Sequence, residues 1–149
     1  MLLTGAYSRA IDEKLRVAVP KHFRDSFAKS PRGRLFVAPG TDGSLAIYCE
    51  ETFARLAERL AQASPTAADV RAFSRLFFAG AQAVEIDSQG RIRIPAELAQ
   101  WARLGKEAML IGVQDHLELW EPTSWQSYLA QQQSRYDEIA ENAFMPPRS

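Results

Sequence analysis

Two aspartate–arginine pairs at matching spacing are the residues of this chain best placed to do chemistry. Asp12 stands four residues before Arg16, and Asp87 four residues before Arg91. An aspartate heading a tight turn accepts backbone N–H groups ahead of it, and Gly90, inside the second turn, takes positive φ at little cost. An arginine just past such a turn projects from the start of a strand, where its planar fork can bond two acceptors at once. One copy alone would read as a surface ion pair, which contributes little. Recurrence in register, with the same flanking isoleucine and the same following proline, favours a shared role for Arg16 and Arg91. Leu15 occupies the position of Gly90 in the first copy. That turn therefore either follows a different backbone or carries strain, because a leucine at positive φ is disfavoured.

Other reactive constellations are missing from the sequence. The two histidines, His22 and His116, lie far apart and have no His-Glu-x-x-His or cysteine partner, so no metal site is expected. There is no Gly-x-Ser-x-Gly elbow and no glycine-rich phosphate loop, and the chain is not expected to be an enzyme or to hold a cofactor or small-molecule substrate. Asp12 and Asp87, each beside an arginine, read as permanently ionised structural carboxylates rather than catalytic acids. The single cysteine, Cys49, excludes an intrachain disulfide and sits in the apolar run Leu45–Cys49, which predicts an inert, buried thiol.

Formal net charge is zero, with 24% charged and 46% hydrophobic residues, a globular composition without an overall basic coat. The charge is unevenly spread. Residues 1–34 carry Arg9, Lys14, Arg16, Lys21, Arg24, Lys29, Arg32 and Arg34 against Asp12, Glu13 and Asp25, whereas residues 80–149 hold six basic and ten acidic side chains. The first part is thus either an anion-facing surface or an ordinary solvated one. No run approaches eighteen apolar residues, and Met1–Gly5 lacks a signal-peptide pattern, so a cytoplasmic chain without a membrane partner is expected.

The elements that must position these pairs are themselves repeated. Gly5–Pro20 aligns without a gap on Gly80–Pro95, an offset of 75, with Gly, Ala, Ile, Asp, Arg and Pro recurring in place. After a loop three residues shorter, Leu45–Tyr48 aligns on Leu117–Trp120 and Phe53 on Trp125. Each copy predicts a strand ending at Ile11 or Ile86, the Asp-to-Arg turn and a second short strand. A brief helix follows, with Pro20 or Pro95 at its first position, then a hairpin and a closing helix capped by Thr52 or Thr123. The first hairpin joins Leu35–Val37 to Leu45–Tyr48 and the second joins Met109–Ile111 to Leu117–Trp120. The boundaries expected are a first module over 1–63, a linker helix over 64–79, a second module over 80–133, and a C-terminal extension over 134–149 whose end frays. Val70, Phe73, Leu76 and Phe77 predict a packed apolar face on the linker helix. Modules of roughly 50 residues are marginal alone, so the copies should pair around a shared core, with pseudo-twofold symmetry, hiding Phe36, Tyr48, Phe53, Phe77, Trp120 and Trp125 together.

Gly5–Pro20, the paired Asp-x-x-x-Arg segments, the linker Arg71–Ala81, and Leu117–Trp120 followed by Trp125 together resemble the bacterial MraZ proteins over nearly the whole chain. That resemblance implies an α+β fold of two tandem swapped-hairpin, AbrB-like β-barrel modules. It also implies a cytoplasmic, nucleoid-associated transcriptional regulator that forms a homo-oligomeric ring. Such a regulator binds double-stranded DNA at short repeated promoter elements, typically ahead of a cell-division and cell-wall gene cluster. Arg16 and Arg91 match the family's DNA-facing arginines, and Asp12 and Asp87 match the aspartates that begin the same turns. The usual family turn is Asp-x-Lys-Gly-Arg; here the first copy keeps Lys14 without the glycine and the second keeps Gly90 with Gln89 for lysine. Arginine's fork fits either phosphate oxygens or the N7 and O6 of guanine, while Lys14, Arg9 and Lys21 suit neutralisation of the backbone. An antitoxin-like interaction module and a purely structural ring protein are the alternatives from other classes.

Overall fold

The computed structural model describes residues 1–29 and 33–146. The first copy forms β1 (Ala6–Ala10), β2 (Arg16–Ala18), α1 (Lys21–Ala28), β3 (Arg34–Pro39), β4 (Leu45–Cys49) and α2 (Glu50–Ala61). A connecting helix, α3 (Ala68–Gly80), leads to β5 (Gln82–Glu85), β6 (Arg91–Arg93), α4 (Ala96–Trp101), β7 (Glu107–Val113), β8 (His116–Trp120) and α5 (Pro122–Gln133), followed by α6 (Tyr136–Ala143). The fold is α+β, and both expected hairpins form, β3 with β4 and β7 with β8.

The copies do not fold side by side; they exchange strands. A six-stranded sheet runs in the order β1-β7-β8-β4-β3-β5, so β1 of the first copy lies on β7 of the second and β5 of the second lies on β3 of the first. Replacing each strand by its repeat equivalent gives the same order from either end. The remaining strands, β2 and β6, pair antiparallel with each other, Arg16 opposite Arg93 and Ala18 opposite Arg91. Hydrogen bonds from Val19 N to the Gly90 carbonyl (2.9 Å) and from Ile94 N to the Leu15 carbonyl (2.8 Å) fasten the end of each short strand to the other copy's turn.

Strand alternation sorts the side chains into two layers. One face of the sheet carries Leu35, Val37, Leu45, Ile47, Leu110, Leu117 and Leu119, all essentially without solvent contact. Val17 and Ile92 from the ribbon, Phe23 and Phe27 from α1, and Leu98 from α4 close over it, so the core shared by the two copies is mainly aliphatic. Cys49 belongs to this core as a free, buried thiol.

The expected single aromatic cluster is corrected here. Phe36, Tyr48 and Trp120 alternate with the core residues and therefore face the opposite side of the sheet. There they form two satellite clusters. Phe36 stacks on Phe53 at 4.4 Å, and Phe53 meets Phe77 at 5.7 Å beneath α2 and α3. Trp120 meets Trp125 at 5.3 Å and Tyr128 at 5.0 Å beneath α5.

Several local expectations also change. Pro20 and Pro95 stand at the N-cap rather than the first helical position; their extended backbones finish the strand, and their carbonyls begin the helical bonding. Thr52 and Thr123 lie inside their helices. Cys49 is the N-cap of α2, because β4 runs straight into the helix, and Thr52 is buried against its sulfur at 3.2 Å. Glu121 caps α5, its carboxylate accepting bonds from the Thr123 and Ser124 amides. On α3 only Phe77 is buried, while Phe73 and Leu76 are exposed, so the apolar face is not packed within one chain. The C-terminal extension folds into α6 before its end, and Pro147, Arg148 and Ser149 of the segment expected to fray lie outside the described residues.

A polar network crosses the aromatic face. His116 lies between two carboxylates, Nδ1 2.8 Å from Asp115 Oδ1 and Nε2 3.1 Å from Glu118 Oε2, while Trp120 Nε1 donates to Glu118 Oε1 at 3.0 Å. The bond to Glu118, aided by Asp115, raises the His116 pKa against the opposing effect of burial. A raised folded-state pKa stabilises below the unfolded value, near 6.5, and that contribution disappears as pH rises through the folded value. Chemical denaturation is therefore expected to show stability decreasing from about pH 6 upward, a trend that His116→Asn flattens. A wild-type profile parallel to that of the variant would exclude this role.

Candidate functional site

Each Asp-x-x-x-Arg segment is a closed turn built by one carboxylate. Asp12 Oδ1 accepts from the Lys14 and Arg16 amides at 2.9 and 2.8 Å, and Oδ2 accepts from Arg16 Nε at 2.6 Å. Asp87 repeats the set with the Gln89 and Arg91 amides, both at 2.9 Å, and with Arg91 Nε at 3.0 Å. Backbone bonds close both loops, Leu15 N to the Asp12 carbonyl and Gly90 N to the Asp87 carbonyl, each at 3.0 Å. The two turns share one conformation: φ is 62° at Leu15 and 79° at Gly90. Of the two possibilities left by the sequence, strain at Leu15 is the one observed, at a cost of about 1 kcal/mol. The side chain of Leu15 packs against the core and offsets part of that cost.

The amides of Arg16 and Arg91, followed by other groups of the same turns, hold the Asp12 and Asp87 carboxyls below the usual carboxylate range, against a desolvation effect that opposes them. Both turns therefore keep their anchoring charge until pH falls through those lowered values, after which the contribution is lost.

Asp12 and Asp87 engage Nε, and the two Nη groups of each arginine have no acceptor among the described residues. The side chains are 31% exposed for Arg16 and 25% for Arg91, each held by its turn and partly open to solvent. Both sit on one face of the β2–β6 ribbon, with Val17 and Ile92 on the buried face. Such a site presents two forks on one ribbon face, each fixed by a carboxylate already engaged in its own turn. It is arranged to bind anions or base edges.

Of the other residues singled out from the sequence, Lys14 and Gly90 lie within the turns. Arg9 does not join them: its guanidinium lies 5.6 Å from the Tyr7 ring on β1, with Nε buried and unbonded. Arg93 was missed. It is exposed on the ribbon directly opposite Arg16, and its place two residues after Arg91 was a readable signal, since alternate strand residues share a face. Among the described residues, no three His, Cys, Asp or Glu side chains gather as a metal site, and no helix is long and apolar enough to cross a membrane.

Fold and site together define a two-copy, strand-exchanged α+β protein that presents an aspartate-anchored arginine from each copy. The family model described as "MraZ protein, putative antitoxin-like" matches residues 2–76 and again 77–145. The chain belongs to the MraZ family. It is 41% identical over 139 residues to the "Transcriptional regulator MraZ" of Alkaliphilus oremlandii, covering 93% of this chain and 94% of that one. It is 40% identical over 141 residues to the protein of the same name from Heliobacterium modesticaldum, covering 94% and 95%. A third relative of that name, from Desulforamulus reducens, is 36% identical over 95% of this chain and 96% of its own.

Proposed function

We propose that this chain is a sequence-selective, double-stranded-DNA-binding transcriptional regulator and not an enzyme. The carrying observation is the pair of Arg16 and Arg91 forks on one ribbon face, each fixed by its own aspartate. Base edges or phosphates are taken by these forks, while Lys14 and Arg93 add phosphate contacts, and Arg9 contributes positive charge behind β1. The sites are short repeated promoter elements, upstream of the chain's own gene in a cell-division and cell-wall cluster, and the protein works in the cytoplasm at the nucleoid.

The boundaries 1–63, 64–79, 80–133 and 134–149 serve this reading as sequence modules, and the palindromic strand order supports a barrel-like pair with pseudo-twofold symmetry. Assembly into a homo-oligomeric ring is supported by the exposed Phe73, Leu76 and Phe78 on α3, an apolar patch of the kind that marks association. A ring brings several arginine pairs to successive DNA boxes and gains affinity through effective concentration, making box spacing part of specificity.

Enrichment of genomic fragments on the purified protein tests the reading. The region upstream of its own gene, with repeated boxes, should be retained above competitor DNA of the same composition, with affinity falling as salt rises. Equal retention of all fragments would overturn sequence selectivity, and no retention would overturn DNA binding.

A further inference from the structure

The first turn carries one cation and one anion, Lys14 and Glu13, that the second lacks, and the helix of the opposite copy brings a cation to the second. Lys14 of the first turn has Gln89 as its counterpart in the second. Yet Arg24, on α1 of the first copy, reaches across to the second turn: a Cβ on Gly90 would lie 3.0 Å from Arg24 Cζ and Nε and 3.1 Å from Cδ. A side chain at position 90 would meet both the strain of a φ of 79° and the guanidinium resting on that surface, which would have to give by a few tenths of an ångström. Arg24 Nε donates to the Val19 carbonyl at 3.0 Å, and Val19 N in turn donates to the Gly90 carbonyl. This uses one edge of the guanidinium and leaves both Nη groups without a protein acceptor among the described residues, as at Arg16 and Arg91.

Among the described residues, nothing comparable is found on the other side. The repeat counterpart of Arg24 is Ala99, buried on α4, and the counterpart of Gly90 is Leu15. A bulky turn residue with a small helix residue on one side is matched by a glycine turn with a large cationic helix residue on the other. The lysine lost from the second turn is in this way replaced by a cation supplied from the first copy.

Resting on the DNA-binding reading above, we propose that Arg24 is a further DNA contact, binding a backbone phosphate beside the site of Arg91 and giving the second turn the charge that Lys14 gives the first. Its guanidinium is pre-positioned by the Val19 carbonyl and the Gly90 surface, which reduces the ordering cost of the contact. A phosphate contact carries no sequence information, so its loss should weaken cognate and unrelated duplexes alike.

Fluorescence anisotropy of the full-length protein on a labelled duplex from its upstream region, and on a scrambled duplex, tests this across a salt series. Arg24→Ala should weaken both roughly tenfold and lower the slope of log affinity against log salt by about one per bound subunit. Arg24→Lys should recover most of that loss. Unchanged affinity and slope for Arg24→Ala would overturn the proposal. So would a loss confined to the cognate duplex, or a loss accompanied by a lower unfolding temperature that Arg24→Lys fails to repair, since either makes Arg24 a support for the turn alone. Failure of the underlying reading has a different signature: the wild-type protein would retain neither duplex.

Discussion

Replacing Arg16 and Arg91 together with alanine is expected to abolish binding to the repeated upstream duplex while leaving oligomer size unchanged. A bidentate contact to a base is worth about 1–3 kcal/mol, so losing two per subunit removes about 2–6 kcal/mol, from thirtyfold to more than ten-thousandfold. Several subunits on successive boxes multiply the effect. The fold should survive, because both side chains lie on the open face of the ribbon and the buried Val17 and Ile92 are untouched. Gel-shift titration at fixed salt, with size-exclusion chromatography of the same sample, reads both quantities. Undiminished affinity would sink the assignment, as would a change in oligomer size large enough to explain the loss. Lysine at both positions should keep much of the nonspecific affinity and lose discrimination, because an ammonium does not reproduce the planar fork.

Separating the copies should have the largest effect on folding. Residues 1–79 alone are expected to show no cooperative unfolding transition as a monomer, and mixing with residues 80–149 should restore one. In the isolated first half, β1 lacks β7, β3 lacks β5, and β2 lacks β6. The core also loses Ile92, Ile94, Leu98, Leu110, Leu117 and Leu119, all buried in the intact chain. At about 1.5–3 kcal/mol for each buried side chain this loss is about 9–18 kcal/mol, comparable with the whole stability of a typical domain. Circular dichroism and analytical ultracentrifugation of the fragments would measure it. A dimer of the first half at high concentration would agree, a second copy then providing the missing strands; a cooperatively folded monomer would not.

The sequence was most informative where local chemistry decides structure. The Asp-to-Arg turns, the hairpins and the stop imposed by Pro20 and Pro95 all depend on residues within a few positions of one another. Strand exchange was legible only through the family resemblance, which implies swapped hairpins. Alternation identifies β1 and β7 as strands and says which residues share a face, but it does not say which strands are neighbours, so the pairing of Ala6 with Ile111 had no local signature. The grouping of Phe36 with Trp120 failed for a related reason: both are large and apolar, and the parity that assigns them to the outer face becomes clear only once the inner face is known.

At the candidate site, the two turns with Arg16, Arg91 and their aspartates were legible from the duplication, and the place of Arg93 on the same ribbon face could have been read from its position two residues beyond Arg91. Arg24 could not. Its approach to Gly90 comes from the packing of α1 against the other copy, and no spacing in the sequence encodes it. The strain at Leu15 was half visible, since the residue type gave the problem and only the backbone gave the answer.

The pairing of β1 with β7 also sets a timetable for the ribosome. About a hundred residues separate the two strands, and synthesis at about 5–20 residues per second leaves β1 without its partner for about 5–20 s. During that interval an adjacent nascent chain carries the same unpaired strand and, once further elongated, the same acceptor. Crowded polysomes would then favour chains that trade strands with one another, so the yield of correctly closed protein should depend on the rate and density of translation.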